Sequence, residues 1–205
     1  MGLSGDRLTD PQPGGRRPAP GDLALVQSFL NSRWDLRRDH EETFSGDALA
    51  AWLSERGLLS SGQRLDDEDL RRALTVREGL RAVAFWNNGH RLDESAVDAM
   101  HEASASARAR IRIEADGPRF LLDADAGLDG AIGVLYAIVG RTMIDGSWQR
   151  LKACLGRYCG WVFYDHSRNQ SSRWCSMSVC GDREKSRAYY RRRTGRPSAH
   201  RKVAS

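Results

Sequence analysis

Apolar side chains recur every three or four residues through the first two thirds of this 205-residue chain, then give way to short alternating and aromatic runs. Leu23, Val26, Phe29 and Leu30 make one helical stripe behind Asp22, a residue suited to cap a first turn. Ser45 to Arg56 reads as a second helix, with Gly57 just past its end where a left-handed cap is favoured. Asp66 to Asn88 is the longest periodic segment, carried by Leu70, Leu74, Val76, Leu80, Val83, Ala84 and Trp86, and a further helix is predicted from Asp93 to Ser104. The period then changes to two. Arg108 to Glu114 alternates, Ala115 to Pro118 is turn chemistry and Arg119 to Leu122 is a short return, which together predict a β-hairpin. Gly127 to Asp145 returns to helix; its apolar stretch from Ala131 to Ile144 is interrupted by Gly133, Gly140 and Arg141 and reads as a buried core helix. Trp161 to Tyr164 is predicted as a short strand and Ser176 to Arg193 as a final helix. The predicted fold class is mainly α with one β-hairpin.

Charge divides the chain where the periodicity fades. The net charge of +5 is the sum of two unlike parts. Residues 150–205 hold fourteen Lys and Arg against three acids, a charge of +11, and the other 149 residues hold 18 bases against 24 acids, a charge of −6. An acidic body with a strongly basic tail is the asymmetry of a nucleic-acid-binding appendage on a soluble domain. Residues 1–20, rich in Pro, Gly and Arg and without an apolar pattern, are expected to form a disordered leader, and no secretory signal is visible in them, so the expected location is cytoplasmic.

All four cysteines fall within 27 residues of that basic part, as Cys154-x4-Cys159-x15-Cys175-x4-Cys180. Two short pairs across a spacer of this length point to one tetrahedral all-thiolate zinc site, each pair supplied by one turn. Two disulfides would need an oxidising compartment, unrelated thiols would not fall into equally spaced pairs, and an iron–sulfur cluster is a variant of the same ligand set. Four thiolates leave no open coordination position, so the expected cofactor is one structural Zn²⁺ per chain with no catalytic role. The expected ligands are Cys154, Cys159, Cys175 and Cys180. Arg157 is expected to offset the site's negative charge, Trp161, Phe163 and Trp174 to pack about the metal, and the metal to fold the tail while the helical body keeps a core of its own.

From Trp161 to Arg187 the sequence WVFYDHSRNQSSRWCSMSVCGDREKSR closely resembles the CGNR zinc-finger family, with Cys154, Cys159, Trp161, Phe163, Tyr164, Asp165, Ser167, Arg168, Asn169, Arg173, Trp174, Cys175, Met177, Cys180, Gly181 and Arg183 at matching places. Residues 21–145 more softly resemble the helical domain that precedes it in that family, named ABATE and described as a stress-induced transcription regulator. The resemblance implies a helical domain at 21–149, a small four-cysteine finger of zinc-ribbon or treble-clef type at 150–194 ending in a basic helix, and a basic disordered tail at 195–205. It also implies a zinc-binding regulator that contacts DNA or RNA and has no established reaction. One position departs from the pattern: the signature Asn is Asp182 here, which would repel a phosphate but would serve equally well as a helix cap.

Candidate nucleic-acid contacts are Arg183, Arg187 and Arg191, which recur every four residues along the final helix, with Lys185 beside them. Arg168, Asn169 and Arg173 lie in the loop between the cysteine pairs. The five histidines show no metal-ligand spacing, no phosphate-binding glycine loop stands out, and Asp123, Asp125 and Asp129 imitate a calcium loop without its Gly and Glu, so no catalytic residue is assigned. The expected function is a non-enzymatic nucleic-acid-binding regulator whose helical domain senses or dimerises. The alternatives are a protein–protein adaptor using the basic finger and an enzyme with its site in the helical domain. A homodimer through the helical domain is the expected further partner, and no membrane is involved.

Overall fold

Twenty-one residues of the longest periodic segment form α3 (Asp67–Asn87), the longest helix among the described residues. A computed structural model describes residues 12–33, 42–43, 45–115, 117–123 and 126–194. Before α3 come α1 (Leu23–Asn31) and α2 (Gly46–Glu55); after it come α4 (Glu94–Ala103), a hairpin of β1 (Arg110–Glu114) and β2 (Gly117–Leu121), and α5 (Gly127–Ile144). Local chemistry starts the helices where expected. The Asp66 carboxylate accepts the Asp69 N–H at 2.9 Å, and Asp69 accepts the Asp66 N–H in return. Ser45 and Asp93 likewise cap α2 and α4 through the N–H groups of Ala48 and Ala96. Gly57 has φ +70°, the left-handed exit expected after α2. At Gly79 α4 comes so close to α3 that a Cβ would lie 2.4 Å from that of Met100.

The start of α1 differs from its prediction. Asp22 makes no capping bond. The turn at Gly21, with φ +55°, supplies the acceptor for Ala24 N–H, and the Asp22 carboxylate instead takes a hydrogen bond from Arg141 on α5 at 2.9 Å. Every residue of α1 is buried. With Leu49, Leu53, Val76, Leu80, Leu128, Ile132, Leu135 and Ile138 it forms the main core, which also takes in α5, a helix long and apolar enough by composition alone to cross a membrane.

A second antiparallel pair follows a 3₁₀ turn at Trp148–Arg150: β3 (Leu151–Ala153), which was not predicted, and β4 (Val162–Tyr164), within the strand predicted at Trp161–Tyr164, in the register Leu151 to Tyr164 and Ala153 to Val162. The three residues of β3 are too few for an alternating pattern to register in sequence. The strands nevertheless obey the two-residue period. Leu151, Ala153, Val162 and Tyr164 belong to the main core, while Phe163 faces the cysteines. The final helix also differs in detail: Ser176 caps a π-helical turn (Met177–Gly181), which leads into α6 (Asp182–Thr194).

The two expected parts are in close contact. Side chains of the body complete the backbone bonding of the finger. Asn31 on α1 accepts the Val162 N–H at 2.7 Å and donates to the Val162 carbonyl at 2.9 Å. Asn88, which caps the end of α3, donates to the Ala153 and Arg173 carbonyls at 2.8 and 3.0 Å. Buried Arg81 donates to the carbonyls of Gly160, Leu30 and Arg33 while held by Glu78. The leader prediction is corrected over residues 12–20. Ala19 is buried, its N–H bonds Gln27, and Gln12 bonds both Gln27 and the indole of Trp161. Residues 1–11 and the predicted tail 195–205 lie outside the described residues.

Because the core is shared, stripping the metal is expected to destabilise the helical body together with the finger. Chelation during a thermal melt should bring helical signal and tryptophan fluorescence down in one transition at a lower midpoint; a body that keeps its original midpoint would contradict the shared core.

Candidate metal centre and basic surface

The turn joining β3 to β4 carries Cys154 and Cys159, and Cys175, just before the Ser176 cap, and Cys180, within the π-helical turn, lie against it. The four sulfur atoms lie within 4.8 Å of one another. Cys175 Sγ is 3.8 Å from that of Cys159 and 3.6 Å from that of Cys180. A tetrahedron with Zn–S bonds of about 2.3 Å has edges of about 3.8 Å, so the spacing fits one zinc ion, and it is far too wide for disulfides. Backbone donors are aimed at the sulfurs as a thiolate site requires: the Gly156 and Cys175 N–H groups point to Cys154 Sγ at 3.4 and 3.3 Å. Electrostatics agree. Hydrogen bonds from Cys159, Cys175 and Cys180 push the Cys154 thiol far down, and contact with Cys154 pushes the thiols of Cys159 and Cys175 up. Four thiols so close cannot all ionise beside one another; a divalent cation among them removes that conflict.

Trp161 and Phe163 pack on the cysteines, with Trp174 partly buried at their edge. The cation beside this cluster is not the one expected. Arg157 is exposed, its guanidinium over Tyr158 at 4.8 Å and its N–H on the Glu184 carboxylate. Arg16 takes its place. The Arg16 guanidinium donates to the Cys175 and Trp174 carbonyls at 2.7 and 3.0 Å and lies 4.8 Å from the centre of the Phe163 ring. Gly14, two residues earlier, approaches Ser176 so closely that a Cβ would sit 2.8 Å from its hydroxyl. Nothing local in sequence marks Arg16, because its partners lie almost 160 residues away.

The loop between the cysteine pairs is built on a buried ion pair. Lys152 Nζ donates to Asp165 Oδ2 at 2.9 Å and also to the carbonyls of Gln170 and Ser172. The other carboxylate oxygen takes the Ser167 N–H and hydroxyl, and Ser172 N–H completes the set. Burial alone would raise the Asp165 carboxyl, but the bonds from Ser167, Lys152 and Ser172 outweigh it and hold it below the ordinary carboxylate range. With the loop's inner groups taken, Arg168, Asn169 and Arg173 are exposed and their side chains have no partner among the described residues.

On α6, Arg183 and Arg191 are likewise exposed and unpaired among the described residues. Arg187 is not: it is bound to Glu184, and Lys185 lies 3.7 Å from Asp182. The predicted stripe is thus free at its ends and neutralised at its middle. Asp182 is the first residue of α6 but does not cap it: its N–H bonds the Met177 carbonyl, and Ser176 caps the helical run one turn earlier. Asp129, one of the three calcium-like aspartates, pairs with Arg72 and accepts the Ser106 hydroxyl, and Asp125 lies outside the described residues.

A four-thiol metal finger set into a helical body is the class of protein that this arrangement defines. Comparison with known families agrees: residues 150–193 match the CGNR zinc finger, and residues 23–145, more than half of the chain, match ABATE, described as a "Putative stress-induced transcription regulator". The chain belongs to the ABATE family and carries a CGNR zinc finger after that domain. No curated protein matches it.

Elemental analysis of protein purified without added metal should find one zinc per chain. Arg16→Ala should lose that zinc several-fold faster to a competing chelator with a colorimetric readout, and an unchanged rate would deny Arg16 its role. Asp165→Asn should cost about 3–5 kcal/mol, since it leaves a buried lysine unpaired. The sign follows from the lowered carboxyl: its stabilisation is complete above the unfolded value of about 4 and fades only below it, so the cost should be flat from about pH 6 to pH 8 in urea unfolding.

Proposed function

We propose that this chain is a non-enzymatic, zinc-dependent regulator that acts in the cytoplasm, with the finger contacting DNA or RNA and the helical body sensing or dimerising. The zinc, held by Cys154, Cys159, Cys175 and Cys180, is structural: it fixes the start of α6 and the loop after β4 on one rigid base. The contacts are Arg168, Asn169 and Arg173 from the loop and Arg183, Lys185, Arg187 and Arg191 from α6. The observation that carries this reading is the freedom of five of them. Arg168, Asn169, Arg173, Arg183 and Arg191 project into solvent from anchored segments with no partner among the described residues. Unpaired donors held in place suit phosphate oxygens, whereas a solvated charged face ordinarily pairs opposite signs three or four residues apart. Within the set, Arg183 and Arg191 carry more of the contact than Arg187 and Lys185, which must first leave Glu184 and Asp182.

The sensing role draws on an open surface groove of about 620 Å³ between α3 and the segment that leads into α4, lined by Phe85, Leu92, Glu78, Arg81 and His90. Arg81, in its wall, donates to the Gly160 carbonyl in the metal turn, a direct link from the groove to the finger.

Binding to a mixed-sequence DNA and to a single-stranded RNA, measured against salt, tests the proposal. The intact zinc-loaded protein should bind at low salt with affinity falling steeply as salt rises. Arg183→Ala and Arg191→Ala should each reduce the logarithmic salt slope by about one, as for single phosphate contacts, with a smaller change for Arg187→Ala. Absence of affinity for either nucleic acid at low salt would remove this function and favour docking on an acidic protein.

A further inference from the structure

Two tyrosines stand among the arginines of α6, and neither belongs to a core cluster. From Tyr189 to Thr194 every residue of the helix is exposed, so its last turns stand clear of the body. Tyr189 is 52% exposed and Tyr190 63%. The two rings meet edge to face with centroids 5.8 Å apart, and the Tyr189 hydroxyl accepts from Arg193 at 3.5 Å. A T-shaped neighbour covers at most one face of a ring, so Tyr190 keeps a face open. Its place on the helix gives that face a setting. Arg183, Arg187 and Tyr190 fall at i, i+4 and i+7, and Arg191 follows, so the ring shares a helix face with the arginines named above as phosphate contacts.

We propose that the nucleic acid bound by this finger is single-stranded, with one base stacked on the Tyr190 ring while Arg183 and Arg191 hold phosphates beside it. The inference rests on the nucleic-acid reading above and narrows it to a structural class of target. In a duplex the faces of each base are covered by its neighbours and only edges reach the grooves, so an open ring face gains little there. An unpaired base has a face to offer. A tyrosine on a basic helix then supplies both the platform and the charge that single-strand binding combines. Stacking tolerates every base, so the expected preference is for strandedness and not for sequence. Tyr189 acts as a brace: held toward Arg193 and set against Tyr190, it restricts the swing of that ring before a base arrives. The arginines would suit acidic protein side chains as well, but a carboxylate offers an open aromatic face nothing to stack on.

Fluorescence anisotropy of the full zinc-loaded chain tests this with three labelled probes of equal length: oligouridylate, oligothymidylate, and the oligothymidylate paired with its complement. At least one of the single strands should bind tenfold or more tightly than the duplex at the same salt. Tyr190→Leu should weaken single-strand binding about tenfold, the size of one stacked base, while the logarithmic salt slope and the duplex affinity stay as they were. Tyr190→Phe should bind as the parent does. Arg183→Ala, by contrast, should lower the salt slope on every probe. Irradiation of a complex with 5-iodouracil in the strand should join it to Tyr190, read by mass spectrometry of the crosslinked peptide. Both Tyr190 variants should keep the parent's zinc content and helical signal, since the ring lies outside the core clusters. Duplex bound as tightly as both single strands, single-strand affinity untouched by Tyr190→Leu, or crosslinks confined to other residues would each overturn the proposal and leave the finger a nucleic-acid-binding element. No affinity for any of the three probes at low salt would remove both readings together.

Discussion

Three-residue strands buried among helices leave peptide groups that no neighbouring strand can satisfy, and an unpaired buried N–H or carbonyl costs about 1–3 kcal/mol. The molecule meets this constraint with amide and guanidinium side chains. Asn31 caps both groups of Val162, Asn88 reaches Ala153 and Arg173, Asn87 reaches Trp148 and Leu151, and Arg81 reaches Gly160. Asn31, Arg81 and Asn87 lie on helices, and Asn88 sits just past the end of α3. Together they make the finger continuous with the body, so that metal, hairpin and helices hold one another in place.

The helices and the metal ligands were legible from sequence because both are local signals. Leu70 to Trp86 and Leu23 to Leu30 repeat at helical spacing, and four cysteines in equal pairs announce their chemistry through spacing alone. What escaped was bonding between distant residues. β3 is too short to show a period, and Leu151, Ala153, Val162 and Tyr164 read as part of the finger until packing assigns them to the body's core. Arg16 sits in a stretch whose composition is that of a disordered leader, and composition reports only the average cost of ordering a segment. It cannot report that a single arginine meets two carbonyls and an aromatic face already fixed elsewhere.

The basic surface shows the same limit in a different form. Counting charges along α6 predicts a uniform stripe, yet Glu184 claims both Arg187 and the Arg157 N–H, and Asp182 stands near Lys185. Net charge survives this pairing, but the supply of unengaged donors does not. The finger presents a divided surface, one part on the loop that Lys152 and Asp165 brace and one on the exposed flank of α6.

The long reach of Asn31 and Gln27 bears on how the chain is made. Both lie on α1, and their carbonyl partner at Val162 is 131 and 135 residues further on. A ribosome delivers the helices well before the cysteines, so α1 waits with its amides unmatched until the last quarter of the chain emerges and finds metal. The bonding of α1 is thus completed only when a strand far downstream of it is in place.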